Sequence, residues 1–325
     1  MKTRTRCLLA ISALVVLGTP GAKALAADAW PMRPIRLIVP FPPGGSNDIV
    51  ARLVGARLTE RLGKTVVVDN RAGAAGTIGT EIAVRSQPDG HTLLIISVAY
   101  AYNPMVYKLP YDPVKAISPV TLLGTGPTSL VIDPGLPINS VKDFVALAKS
   151  TPGQVIFASA GVGSFTHLSG ELFRIMAGID VVHVPFKGGG PAMLEVMSGR
   201  AQYTMGTIVQ AMPHIRSGRL KVLGIGSAKR LATLPDTPTI AESGVPGYEA
   251  SNWWGIIGPA GTPSAVITKL HAETAAVLKL PEMQKWFVSE GAVGADMTTG
   301  QFARFILSEM AKWGKVVKEA GIKAE

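Results

Sequence analysis

Ile35-Arg36-Leu37-Ile38-Val39-Pro40-Phe41-Pro42-Pro43-Gly44-Gly45-Ser46-Asn47-Asp48 decides the reading of this chain. It opens as a short β-branched run, turns at a Pro/Gly cluster and enters a segment with helical spacing. Ile49, Val50, Leu53, Val54, Leu58 and Leu62 repeat on one face over 46–62, and Gly63 supplies the C-terminal stop. Thr65–Val68 and Leu93–Ser97 are further strands, with a glycine-rich turn and a helix over 78–86 between them. Strand, helix, strand, helix predicts a parallel α/β sheet.

The alternation then breaks. Val120–Leu123 and Ser129–Ile132 are two apolar runs separated only by Gly124, Gly126 and Pro127. This reads as the chain crossing from one lobe to a second. Another α/β series follows: helix 141–149, strand 155–158, helix 166–176, strand 181–184, helix 192–197 and strand 221–225. A Pro/Gly-rich connector spans 234–247, Asn252–Ile257 reads as a return crossing, and the remainder is helical over 264–278, 282–289 and 299–319. The expected organisation is a signal peptide over 1–26, one lobe from 27–125 plus 255–325, and a second from 126–254. Val39-Pro40-Phe41 before a glycine turn is echoed by Val184-Pro185-Phe186 before Gly188-Gly189, one copy in each expected lobe.

Lys2, Arg4 and Arg6, the apolar run 8–17 and Ala24-Leu25-Ala26 have the form of a secretory signal cut before Ala27. The run is about half the roughly 20 residues a membrane span needs. The only cysteine, Cys7, lies within that segment, so the mature chain has no disulfide, thiolate metal site or cysteine nucleophile. Beyond the signal, 28 basic residues face 22 acidic ones, a net of +6. They are scattered, with no basic stripe interleaved with aromatics, so nucleic acid is not an expected partner. A mildly positive field favours anions.

Two turns are candidates for ligand contact. Phe41–Asp48 ends a strand and opens a helix. Its glycines let backbone approach a ligand, and a helix start suits an anion. Phe41, Pro42, Gly44, Gly45 and Ser46 are the candidate contacts, with Asp48 capping the helix or fixing the loop. The other reading of this turn is a plain helix cap. Ser159-Ala160-Gly161-Val162-Gly163-Ser164-Phe165-Thr166-His167 is the second turn. It falls short of a dinucleotide fingerprint, because Thr166 stands at the third glycine position and Asp180 is misplaced for a ribose contact. A small carboxylate held by Ser159, Ser164, Thr166 and backbone amides is simpler, with Gly161, Gly163 and His167 completing the set. The amide hydrogens of Gly44–Ser46 and Gly161–Ser164 are expected to point at one shared anion. Tyr100, Tyr102, Asn103, Thr207, Asn252, Trp253 and Trp254 are expected near a cleft, as ligand contacts or as core. Of these, Tyr100, Thr207 and Trp253 join the candidate contacts.

Catalysis and cofactors are poorly supported. Ser164 and His167 are three apart at a helix start, which leaves a secreted serine hydrolase as the alternative. A triad also needs an orienting carboxylate, and no G-x-S-x-G elbow occurs. His91, His167, His183, His214 and His271 are dispersed without metal-ligand spacing, and no phosphate loop or calcium loop is present. No cofactor or metal is expected.

The motifs together resemble the tripartite tricarboxylate transporter solute receptors, also called the TctC or Bug family. The resemblance rests on 33–46, Asp69-Asn70-Arg71 with its glycines through Gly79, Pro88-Asp89-Gly90, and Leu109-Pro110-Tyr111-Asp112-Pro113. It continues through Gly163-Ser164 with His167, His183–Gly188, Leu234–Thr239 and Gly258–Pro263. It implies an α/β fold of the periplasmic-binding-protein type (type II), with two α/β lobes joined by two crossing strands and closing on a ligand. It implies no enzyme. The resemblance points to a small carboxylate ligand, whether a di- or tricarboxylate, an acidic amino acid or an aromatic acid, gripped by the two turns above partly through ordered water. Membrane transporter subunits are the implied partners and the periplasm the location, with the protein as a monomer. Asn47 replaces a usual threonine, Ala74 and Thr77 alter the 70–79 loop, Lys115-Ala116-Ile117 lacks a common Asp-Phe, and Tyr100 and Tyr102 are larger than many members carry. The tyrosines leave ligand identity open.

Overall fold

The computed structural model describes residues 30–320, so the segment read as a signal peptide lies outside the described residues. β1 (Ile35–Val39) runs parallel to β2 (Val66–Asn70) and β3 (Thr92–Ser97), with Leu37 opposite Val68 on one side and Leu93 on the other. Helix α1 (Ser46–Leu62) makes the crossover, and Gly63 ends it in the left-handed conformation, its N–H on the Thr59 carbonyl. Helix α2 (Thr77–Val84) links β2 to β3. Helix α3 (Val98–Val106) starts directly after β3, so Tyr100, Tyr102 and Asn103 are helical.

The two apolar runs around Gly124, Gly126 and Pro127 form one strand, β4 (Ile117–Ile132). Its first part pairs antiparallel with β9 (Ser251–Pro259), from Ile117 opposite Pro259 to Pro127 opposite Ser251. From Thr128 onward its partners are β7 (Tyr203–Thr207) and β8 (Lys221–Ile225). Pro127 has no N–H to give and sits where the partners change. The glycines answer to packing rather than to turning. A Cβ on Gly124 would lie 2.6 Å from the Val293 carbonyl, and one on Gly126 2.8 Å from the Trp254 ring. Local sequence cannot reveal such neighbours, which is why the strand reads as broken.

Past the crossing, β5 (Ile156–Ser159) pairs parallel with β6 (Val182–Pro185) and β7. The strand order is β2-β1-β3-β9-β4-β7-β5-β6, with β8 and the short β10 (Val293–Gly294) attached to β4. Helices α4 (Val141–Ser150), α5 (Phe165–Ala177), α6 (Gly189–Met197) and α7 (Ile208–Arg216) serve the β5-β6-β7 half. Ser140 caps α4, its hydroxyl accepting the Asp143 N–H at 3.0 Å. Helices α8 (Ser264–Leu278), α9 (Pro281–Ser289) and α10 (Thr299–Ala320) return to the first half. Both candidate turns leave the C-terminal ends of parallel strands, β1 and β5, where open α/β sheets bind ligands.

Candidate ligand-binding site

The turn after β1 is braced from behind. The Asp48 carboxylate accepts the Gly44 N–H at 2.9 Å, the Asn70 amide at 2.9 Å and the Arg52 guanidinium at 3.0 Å. The same Asn70 amide reaches the Phe41 carbonyl at 3.0 Å. Burial alone would raise the Asp48 pKa, but the bonds from Arg52, Gly44 and Asn70 outweigh it and hold the carboxyl below its ordinary range. Gly44 takes a φ of 80°, which a side chain would strain. Asp48 therefore fixes the loop.

The turn after β5 is braced by its own side chains. Thr166 Oγ1 accepts the Ala160 N–H at 2.7 Å and lies 3.0 Å from Ser164 Oγ. Ser159 Oγ accepts the Gly161 N–H at 3.1 Å and lies 2.6 Å from His183 Nε2. His167 Nδ1 accepts the Gly163 N–H at 3.2 Å, and the Ser164 N–H goes to the Gly161 carbonyl. The expectation for the turn amides is thereby corrected: Gly44, Gly161, Gly163 and Ser164 spend theirs inside the protein. The donors left over are the first-turn amides of α1 and those of Phe165 and Thr166 on α5, which have no intrahelical acceptor; the His167 N–H goes to Ser164 Oγ at 3.2 Å.

These two helix starts border one cavity of about 50 Å³. Ser46, Asn47, Ser97 and Asn252 supply its polar lining from one half of the sheet; Ser164, Thr166, Thr207 and Gln210 supply it from the other. Phe41, Pro42 and Phe165 are its principal apolar walls, Gly45 lies among the lining residues, and no lining side chain is charged. Ser46 Oγ faces the Asn252 amide and the Trp254 indole N–H, both at a long 3.4 Å. Gln210 is 6% exposed, yet its Nε2 has no hydrogen-bond partner. A buried amide left unpaired is a donor awaiting an acceptor. Sequence reading passed over Gln210; the available signal was one polar residue in the apolar stretch 208–212.

A second, larger chamber of about 420 Å³ shares Phe41, Pro42 and Ala160 with the first. Gly161, Val162 and Tyr107 border it, and the Tyr107 hydroxyl donates to the Val162 carbonyl at 2.9 Å. The echoed turns meet here. A Cβ on Gly188 would lie 2.8 Å from Pro42 Cγ. Of the expected contacts, Gly44, Asp48, Tyr100, Ser159, Gly163, His167 and Trp253 line neither chamber. Tyr100 donates its hydroxyl to the Pro113 carbonyl at 2.5 Å and lines a hollow of about 10 Å³ behind Phe41. Trp253 is buried with its indole on Glu309 at 2.9 Å and is not among the residues lining these three cavities.

His167 and His183 lie behind the turn, their rings stacked at 4.2 Å. Burial, and then Arg174, pushes the His167 pKa down to about 4. Burial, and then His167, lowers His183 to about 4, with Glu171 opposing. His167 makes no hydrogen bond to Ser164 through its ring, so the nucleophile–base contact a hydrolase needs is missing. Both folded pKa values sit below that of a free histidine. The stability carried by the neutral pair is therefore whole above about pH 6.5 and is lost as pH falls towards 4. The shift of His167 is worth about 3 kcal/mol at most, and the more exposed His183 adds less. Urea unfolding at pH 7 and 4.5 should show this loss in the parent and a smaller one in a His167→Gln/His183→Gln variant. Equal losses in both would refute the assignment.

The model of the tripartite tricarboxylate transporter family receptor matches residues 50–322. Protein BugT of Bordetella pertussis is 37% identical over 97% of this chain and 98% of its own length. The structure of R. palustris Rpa4515 with adipate is 35% identical, with a TM-score of 0.88 over 91% of this chain and 100% of that one. The periplasmic binding protein BugD is 32% identical, with a TM-score of 0.87 over the same shares. The mixed α/β fold is that of these binding proteins, and the family comprises receptors rather than enzymes. With the match spanning most of the chain, this protein belongs to the tripartite tricarboxylate transporter family receptors.

Proposed function

We propose that this receptor captures a small carboxylate between its two lobes, 27–125 plus 255–325 and 126–254, and presents the closed complex to membrane transporter subunits. One observation carries the reading: an uncharged polar cavity bordered by two helix starts from opposite halves of the sheet, with Gln210, whose buried amide nitrogen is unpaired, among its lining residues. Helix-start amides and neutral side chains suit a carboxylate. They hold it less firmly than an arginine fork, so release to a transporter stays possible. The adipate-bound relative supports the ligand class. Removal of residues 1–26 on export would place the protein in the periplasm, where it acts as a monomer.

Protein unfolded, stripped of any carried ligand and refolded is the material for the test. Thermal unfolding is followed against mono-, di- and tricarboxylates, acidic amino acids and aromatic acids. A true ligand at 100 times its Kd adds about 2.7 kcal/mol, or roughly 4 °C for a chain of this size. No shift across the whole panel would sink the reading.

A further inference from the structure

Ser46 opens α1 at the wall of the inner cavity, and two N–H donors from β9 converge on its oxygen. They are the Asn252 amide and the Trp254 indole, each at 3.4 Å. Both are fixed in that role. An indole N–H only donates. The Trp254 ring is fully buried against Gly126, where a Cβ would lie 2.8 Å from it. The Val98 N–H sets the orientation of Asn252: it can only donate, and Asn252 Oδ1 accepts it at 3.3 Å. Nδ2 is then the end turned to Ser46. With N–H groups on both lone pairs of Ser46 Oγ, the hydroxyl is left one role, donation. Among the described residues it donates to no acceptor.

The other half of the sheet repeats the arrangement. Ser164 Oγ accepts the His167 N–H at 3.2 Å, Thr166 Oγ1 accepts the Ala160 N–H at 2.7 Å, and the two oxygens lie 3.0 Å apart. One hydroxyl hydrogen is used between them, and the other has no acceptor among the described residues. Ser46, Ser164 and Thr166 all line the inner cavity. Each half of the sheet thus supplies one O–H whose oxygen is already committed to N–H donors.

We propose that Trp254 and Asn252 are positioning residues that set the receptor's specificity: by holding Ser46 as a donor, they make the inner cavity accept an ionised carboxylate and reject the isosteric carboxamide. This rests on the carboxylate reading above. A carboxylate brings only acceptors, so it satisfies the hydroxyl hydrogens of both halves. A carboxamide has nearly the same size, but its NH2 meets a hydroxyl with no lone pair to offer, and donors on both sides stay unpaired. Trp254 acts from behind the wall, since it is not among the lining residues.

The test is calorimetric titration with adipate, glutarate and benzoate, and competition by adipamide, glutaramide and benzamide. The proteins are the parent, Ser46→Ala, Trp254→Phe, Asn252→Ala and the double variant Ser46→Ala/Trp254→Phe. Each acid is expected to bind the parent about 100-fold tighter than its amide. Ser46→Ala weakens the acids about tenfold and leaves the amides unchanged. Trp254→Phe frees a lone pair on Ser46, so acid affinity falls about threefold and amide affinity rises by a similar factor. In the Ser46→Ala background Trp254→Phe changes neither, because its effect passes through that hydroxyl; a tryptophan that only packs would cost the same in both backgrounds. Asn252→Ala removes the other donor and narrows the acid–amide gap likewise, which tests the lock even where Trp254→Phe does not fold. Equal effects of Trp254→Phe in both backgrounds, a gap untouched by Ser46→Ala or by Asn252→Ala, or amides binding the parent as tightly as acids would each overturn the inference while leaving the carboxylate site standing. If no acid binds the parent, the carboxylate reading itself falls, and the inference with it.

Discussion

Thr166→Val is expected to weaken carboxylate binding by about 30-fold while leaving the protein folded. Thr166 Oγ1 is the acceptor for the Ala160 N–H at 2.7 Å and the neighbour of Ser164 Oγ at 3.0 Å. Valine has nearly the same shape, so the packing of this buried position survives, but both polar groups lose their partner. In the empty site water reaches the freed Ala160 N–H. Ligand entry expels that water and leaves the amide unsatisfied, a cost of about 1–3 kcal/mol. At about 2 kcal/mol the affinity falls roughly 30-fold. Thr166→Ser keeps the oxygen and should bind within a few-fold of the parent. Calorimetric Kd values for the three proteins decide it: Thr166→Val binding as well as Thr166→Ser would mean the hydroxyl does not shape the turn.

The largest loss of stability is expected at Glu309. This residue on α10 is 9% exposed, and its Oε2 accepts both the Trp253 and Trp313 indole N–H groups, each at 2.9 Å. Lys312 approaches the other oxygen only at 4.0 Å. Trp313 in turn stands edge-on to Phe165 and Tyr102, at 6.3 and 6.0 Å between ring centroids. One carboxylate thus ties α10 to β9 and to the residue that walls the inner cavity. Glu309→Leu orphans two buried donors, for a loss of about 3–4 kcal/mol. Glu309→Gln retains an acceptor oxygen and should lose about 1 kcal/mol. Urea denaturation of the pair is the check; equal losses would show that the indoles do not depend on that oxygen.

Much of the architecture was legible because local chemistry sufficed. The β-branched run 35–39, the helical spacing of 46–62 and the Gly63 stop set β1 and α1, and Ser140 marked the start of α4. The two turns that border the cavity were legible for the same reason. The donors were not. Glycine turns suggested free amides, but whether an amide is free depends on side chains several residues away or on other elements, such as Asp48, His167 and Thr166. His183 joined the picture only through strand pairing, since β6 lies against β5 and sets Phe157 opposite His183. Trp253 and Tyr102 looked like cleft aromatics because an aromatic side chain serves core and ligand equally well. Their burial was decided by α10, distant in sequence.

By itself, then, the sequence determined the alternating α/β elements, their caps, and two neutral, glycine-bearing helix starts suited to an anion. Periodicity, capping and φ preference act within a few residues. The tertiary structure decided the continuity of β4, the unpaired Gln210 amide, the stacked histidines behind the turn, and the division of the cleft into a small neutral chamber and a large one. Each of these depends on contacts between residues far apart in sequence.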